Sequence, residues 1–372
     1  MKIEAEWMRG GTSKCWVFET AHLEEAGTDV NELLPRLFGS PDSRQIDGVG
    51  GATSTTSKAM ILSRPDDDEV DVEFTFAQVG IEEAAVDWGS NCGNCSAVVG
   101  LYAIEKGWVS PDGDSTRIVT RNTNTGQIII QRVSTPEGAL PIIPDADMPG
   151  VVFPGYRVGL GFRDPAGKTT GKLLPTGAPT DVIVANGTRW TVSMVDAGAP
   201  VVMVRAEELG LDTARYETWS AGVELQLDTL DMIRRLAAVR MGLAASPSQA
   251  ARAVPKLAIV GAPTGEDLEG DVNVMMLSMG KPHPALAITG SIALTLAART
   301  PGTVLNHITG IPSRPTLKLR TPAGVIETWT EHRDGSLLVG VDRTARTIAT
   351  SIIHVPEALG SAVEAPLASA TQ

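Results

Sequence analysis

Polar and apolar residues alternate loosely from Ile3 to Phe18, IEAEWMRGGTSKCWVF, around a central Gly-Gly pair. The pattern predicts a strand, a tight turn and a second strand. A short helix is expected within Asp29 to Phe38, closed by Gly39, although Pro35 weakens it. The stretch GSPDSRQIDGVGGATSTTSKAMIL starts as a Gly-, Asp- and Ser-rich loop and ends as the entry to a strand. DVEFTFAQVGI alternates cleanly as another strand. The segment AVVGLYAIEKG is apolar at Ala97, Val98, Val99, Leu101, Tyr102, Ala103 and Ile104, nearly all round, which predicts a buried helix stopping at Gly107. Strands are expected in TRIVTRNTNTGQIIIQRV, GVVFPGYRVGLGF and TRWTVSMVDAGAPVVMVRA.

The second half repeats this logic. Arg and Leu recur at helical spacing near Glu224 to Gly242, and KLAIVGAP and DVNVMMLSMGK read as strands. TGSIALTLAARTPG is a small, polar opening into an almost wholly apolar helix. TLKLRTPAGVIETWTEHRDGSLLVGV and TARTIATSIIHV return to strands, and the tail from Gly360 to Gln372 is expected to fray. Each half therefore contains strands and one buried helix with a small-residue N-terminus. Such a terminus exposes unpaired N–H groups and a partial positive charge. Two of them facing one cleft would bind a molecule carrying several carboxylates.

Length and charge sharpen this picture. A chain of 372 residues suggests two domains. We place them at 1–184 and 185–372. A net charge of −13 repels nucleic-acid phosphates and anionic lipid, so neither is an expected partner. No apolar run approaches the roughly 18 residues of a membrane span. The start, MKIEAEWMRGGTSK, lacks the pattern of a secretory leader, and three cysteines cannot all pair, so a cytoplasmic location is expected.

Two of those cysteines lie in WGSNCGNCS, spaced C-x-x-C just before the first buried helix. A zinc site needs a second ligand pair, but Cys15 and the five histidines are scattered singly. A thioredoxin-like pair lacks a compact βαβ setting. Two readings are stronger: both thiols simply buried, or one working thiol at Cys92, its pKa lowered by the helix N-terminus, with Cys95 packing. In GGATSTTSKAM, Lys58 follows a run of hydroxyls and enters an apolar strand. It is either a surface lysine or a partly desolvated base. Arg9 and Lys14 flank the Gly-Gly turn, as a charged hairpin tip or as carboxylate-binding groups. His283, between two prolines, is a loop residue or a ligand contact.

The ordered set MRGGTSK, FGSPDSRQIDGVGGATSTTSK, FAQV, NCGN, NTGQI, GKLLPTG, VDAGAPVV and PHPALAITGS resembles the PrpF family of carboxylate isomerases over nearly the whole chain. This family includes methylaconitate and 3-methylitaconate isomerases and 4-oxalomesaconate tautomerase. The resemblance implies an α+β fold of two similar diaminopimelate-epimerase-like domains, each a curved, mostly antiparallel sheet around a central helix, with the site between them and a last strand, about Thr344 to His354, that can cross back to complete the first domain. It implies Lys58 and Cys92 as the catalytic pair of a 1,3-allylic proton shift, without metal or other cofactor. Dimers are common on such scaffolds. Candidate substrate-binding residues are Arg9, Ser13, Lys14, Gln45, Ser54, Thr55, Asn91, Gly93, Asn94, His283, Thr289, Gly290 and Ser291. The sequence has Cys95 where relatives commonly carry Leu, Met or Ile, and oxidation to a Cys92–Cys95 disulfide would inactivate. Two other functions fit the sequence less well. An amino-acid racemase of this fold uses two opposed thiols, yet no cysteine occurs from Ala185 on. A non-catalytic protein that merely holds an aconitase product would not need both Lys58 and Cys92.

Overall fold

The computed structural model describes residues 1–89, 91–264, 269–278, 280–310 and 314–356. The tail expected to fray lies outside the described residues.

The first half is a ring of strands closed around one helix. Lys2–Gly10 pairs with Ser13–Glu19 as a hairpin, and Lys58–Ser63 runs parallel to Ser13–Glu19. Val72–Val79 is antiparallel to Lys58–Ser63 and parallel to Ser115–Asn122. Ile128–Ser134 and Tyr156–Arg163 follow antiparallel. The long strand Ser336–His354 then pairs with both Tyr156–Arg163 and Lys2–Gly10, which closes the ring.

The second half follows the same order. Thr188–Ala197 and Ala199–Arg205 form a hairpin, and Lys256–Gly261 runs parallel to its second strand. Val272–Ser278 is antiparallel to Lys256–Gly261 and parallel to Thr316–Thr321. Gly324–Arg333 follows and pairs with Ser336–Val341, so one strand serves both halves. The short strand Asp181–Ala185 extends the outer edge against Thr188–Val192, so position 184 falls inside a hairpin.

The sheets are covered on both faces, which explains strands too apolar to show strict alternation. Along Ser13–Glu19, Cys15 and Val17 face the central core while Trp16 and Phe18 pack outward. The outward face of the first half is covered by Val30–Phe38. Asp29 caps that helix by accepting from Asn31 N at 2.9 Å, and Gly39 ends it in the left-handed conformation; Pro35 is accommodated inside. In the second half Tyr216–Glu224 and Leu227–Arg240 cover the outer face.

The two central helices, Gly93–Glu105 and Ile288–Arg299, are buried along nearly their whole lengths. They meet end to end. A Cβ built on Gly93 would lie 2.7 Å from Cβ of Ile288 and 3.3 Å from Thr289 N. The Gly10-Gly11 turn presses on the same point: a Cβ on Gly10 would lie 2.4 Å from Asn94 O, and Gly11 has φ +52°. Asn94 ties the halves together, its Oδ1 accepting from Thr12 N at 3.4 Å and its Nδ2 donating to Leu286 O at 3.4 Å.

Helix propensity alone favours Ala over Gly at position 93 by about 0.5–1 kcal/mol. Overpacking, which costs about 1–3 kcal/mol, should reverse that sign. Gly93→Ala is expected to unfold at a lower urea concentration than the parent protein. An equal or higher midpoint would contradict the end-to-end contact.

Candidate functional site

The meeting point of the helices opens into a small cavity of about 50 Å³. Its wall draws on both halves: Ser13, Ser54, Thr55 and Lys58 from the first strands and loop, Cys92, Gly93 and Asn94 from one helix start, and Ala287, Ile288 and Thr289 from the other. In the first helix Ser96 N bonds Cys92 O at 2.8 Å, and in the second Ser291 N bonds Ala287 O at 3.1 Å. The N–H groups of the preceding turn have no acceptor within their own helix. Two helix N-termini thus place their partial positive charge at one point.

Lys58 opens its strand and is 7% exposed. Its Nζ donates to Gln78 Oε1 at 2.5 Å and lies 4.9 Å from the centre of the Phe76 ring. Gln78 Nε2 donates to Ser57 O at 2.9 Å, which fixes the amide so that its oxygen faces Lys58. Ser57 Oγ donates to Val79 O at 3.0 Å and accepts from Gln45 Nε2 at 2.8 Å, while Gln45 Oε1 accepts from Ala52 N at 2.8 Å. The Gly- and Thr-rich loop is therefore braced from below, and Lys58 is held at its end.

Cys92 is the N-cap of the first central helix and half-buried. The three thiols form a chain, Cys92 to Cys95 to Cys15. The hydrogen bond to Cys95, then burial, push the Cys92 thiol well above its ordinary range, and the Lys58 charge only partly opposes this. Burial, followed by the Cys15 contact, likewise raises Cys95. The sequence-based expectation of a lowered Cys92 pKa is overturned: the helix N-terminus is present, but the neighbouring thiol and the apolar surroundings outweigh it.

Asn91, 8% exposed, accepts from Ser96 Oγ at 3.2 Å, and its Nδ2 is buried without a partner among the described residues. His283 Nδ1 accepts from Ala285 N at 3.0 Å, so the neutral ring carries its proton on Nε2. Burial first, then Lys58 and Lys256, hold His283 down to about 4, leaving it an uncharged donor at neutral pH. Lys256 completes the wall. Asp87 is the one carboxylate among the residues lining the cavity, so a strongly acidic chain has built a locally cationic pocket. Among the described residues no group of three or more His, Cys, Asp or Glu could hold a metal, and no helix is long and apolar enough to cross a membrane.

The family profile described as PrpF protein matches residues 1–356. The chain belongs to the PrpF family. The 2-methyl-aconitate isomerase of Shewanella oneidensis is 34% identical, with 96% of this chain and 98% of that protein covered. The crystal structure of a methylitaconate-delta-isomerase superposes with a TM-score of 0.80 at 33% identity, covering 98% of this chain and 99% of that one. A hydroxyproline epimerase from Agrobacterium vitis, at 13% identity, shares the fold with a TM-score of 0.54, covering 95% and 92%. The PrpF chain thus has the α+β, epimerase-like fold.

Of the candidates named from sequence, the cavity brings together Ser13, Ser54, Thr55, Lys58, Asn91, Cys92, Gly93, Asn94, His283 and Thr289. Five others are placed elsewhere. Arg9 turns to the turn backbone and the shared strand, with Nη1 donating to Gly11 O, Thr344 O and Thr344 Oγ1. Lys14 lies over the Trp7 ring, 5.0 Å from its centre. Gln45 braces the loop rather than facing the cavity. Gly290 packs against Met276, a Cβ there lying 2.5 Å from Met276 Cε. Ser291 Oγ donates to Ile288 O at 2.8 Å inside the second helix. Sequence reasoning missed Phe76 and Gln78 although it singled out FAQV, and it missed Lys256. A signal for the last existed: KLAIVG opens with lysine ahead of an apolar strand, as KAMIL does.

A raised thiol pKa leaves little thiolate at neutral pH. Iodoacetamide should therefore label Cys92 slowly at pH 7, with the rate, followed by mass spectrometry, still climbing above pH 9. Fast labelling that levels off below pH 8 would contradict the electrostatics described.

Proposed function

We propose that this PrpF chain is an isomerase that moves a carbon–carbon double bond by a 1,3-allylic proton shift on a small unsaturated di- or tricarboxylate, in the cytoplasm and without a cofactor. The observation that carries this reading is the convergence of Lys58, Cys92 and two helix N-termini on one cavity. The names of the relatives, isomerases of methylaconitate and methylitaconate, support the same class.

Lys58, once its ammonium has released a proton to solvent, removes a proton from the carbon next to the unsaturated system. The allylic carbanion spreads its charge into the adjacent carboxylate, where the helix N–H groups and the neutral His283 donor stabilise it. Such fixed donors, aimed at charge as it develops, supply a large part of the barrier reduction. Cys92 returns a proton at the far carbon. Its raised pKa suits it to enter as a thiol and act as donor. The ammonium of Lys58 then gives up its proton to restore the thiol. A two-thiol racemase mechanism has no second thiol here, because Ala287 is the N-cap that corresponds to Cys92.

The test is incubation with aconitate, methylaconitate, methylitaconate and oxalomesaconate in D2O, followed by proton NMR. At least one acid should exchange and isomerise. Lys58→Gln should abolish exchange. Cys92→Ser should lose product by about 10²–10⁴-fold while retaining exchange at the carbon that Lys58 deprotonates. No exchange with any of these acids would overturn the reading, and the opposite pattern in the two variants would reverse the assigned roles.

A further inference from the structure

Lys256 occupies in the second half the position that Lys58 occupies in the first. Each is the first residue of a strand that runs parallel to the second strand of a hairpin and antiparallel to the next strand along the chain. Both side chains reach the same cavity, and both are 7% exposed. At the helix starts the repeat has diverged, to Cys92 on one side and Ala287 on the other. The cation has therefore been kept in both halves while the thiol stands in one.

The two lysines differ in their partners. Lys58 is held by the oriented Gln78 amide over a ring face. The Nζ of Lys256 meets only the carbonyl of Ala253, at 3.3 Å, and no carboxylate pairs with it among the described residues. A buried ammonium with donors to spare calls for an anion. The unpartnered Asn91 Nδ2 supplies a further donor in the wall of the same cavity.

We infer that Lys256 is a carboxylate anchor of this site, binding the substrate carboxylate remote from the reacting carbons, so that the site selects di- and tricarboxylates over monocarboxylates. The inference rests on the isomerase reading for the name of the reaction, but not for the binding of the anion. Lys256 touches substrate and fixes its position, leaving the proton transfers to Lys58 and Cys92. Burial first and the Lys58 charge second bring Lys256 down to about 8. Below that pH it is charged and ready for the anion. Above it, binding must be accompanied by proton uptake, and affinity falls.

The test uses the intact protein and tricarballylate, a saturated tricarboxylate with no double bond to move, with calorimetry as the readout. The wild-type protein should bind it, more weakly at pH 9 than at pH 7. Lys256→Gln should raise its Kd, and the KM of any turned-over acid, by about ten- to a hundredfold. The kcat of that variant should change less than its KM, and its Kd should lose the wild-type pH dependence. Lys256→Arg should recover most of the affinity. An unchanged Kd in folded Lys256→Gln, or a fall in kcat with KM unchanged, would overturn the assignment. Should Lys256→Gln not fold, Lys256→Met, which keeps the apolar stem and removes the charge, takes its place: a raised Kd bears the assignment out and an unchanged one overturns it. Absence of turnover by the wild-type protein would count against the isomerase reading alone, because tricarballylate binding does not depend on it.

Discussion

Gly93 has no room for a side chain because the start of the second central helix, at Ile288, lies against it. The placement of the site depends on that contact. It brings together two sets of unpaired N–H groups that would otherwise be solvated separately. Each set of strands supports one helix, and the strand Ser336–His354 pairs with strands of both sets. The Gly-Gly turn and Asn94 lock the junction from the side.

Electrostatics follow from this geometry. Burying charge is costly unless it is paired. Two lysines in one small cavity, with Asp87 as the lone carboxylate of its wall, give the pocket a cationic character. The same low-polarity surroundings explain why His283 is neutral and why Cys92 keeps its proton. A helix N-terminus favours an anion at its end, but here that favour is available to a bound carboxylate rather than spent on making a thiolate. The chain carries a large negative charge overall, which repels the anions it would bind, so recognition depends on the local field of the pocket.

Much of the fold was legible in sequence because it rests on period and punctuation. The two buried helices appear as uninterrupted apolar segments behind small polar openings, and the Gly-Gly hairpin and the Gly39 stop carry their turn chemistry with them. The short helices Tyr216–Glu224 and Val304–Thr309, and the strand Asp181–Ala185, were not visible. They are ordered by packing rather than by a periodic pattern of their own. Within the candidate site, Lys58 and Cys92 could be named because their motifs are long. Arg9 and Lys14 could not be judged by charge alone: in a hairpin, neighbours in sequence point to opposite faces, and only Ser13 of that turn reaches the cavity. The Cys15–Cys95–Cys92 chain was equally hidden, since a strand and a helix far apart in sequence bring it together. Lys256 needed the repeat to be read at the level of topology, because the two halves share little sequence.

The most direct measurement is a crystal structure of Cys92→Ser protein with tricarballylate bound. The account places one carboxylate on Lys256 Nζ and another against the N–H groups of the two helix starts. It places the central carbons between Lys58 Nζ and the side chain of residue 92. A ligand seated away from the helix junction, or one whose carbons lie out of reach of Lys58, would contradict it.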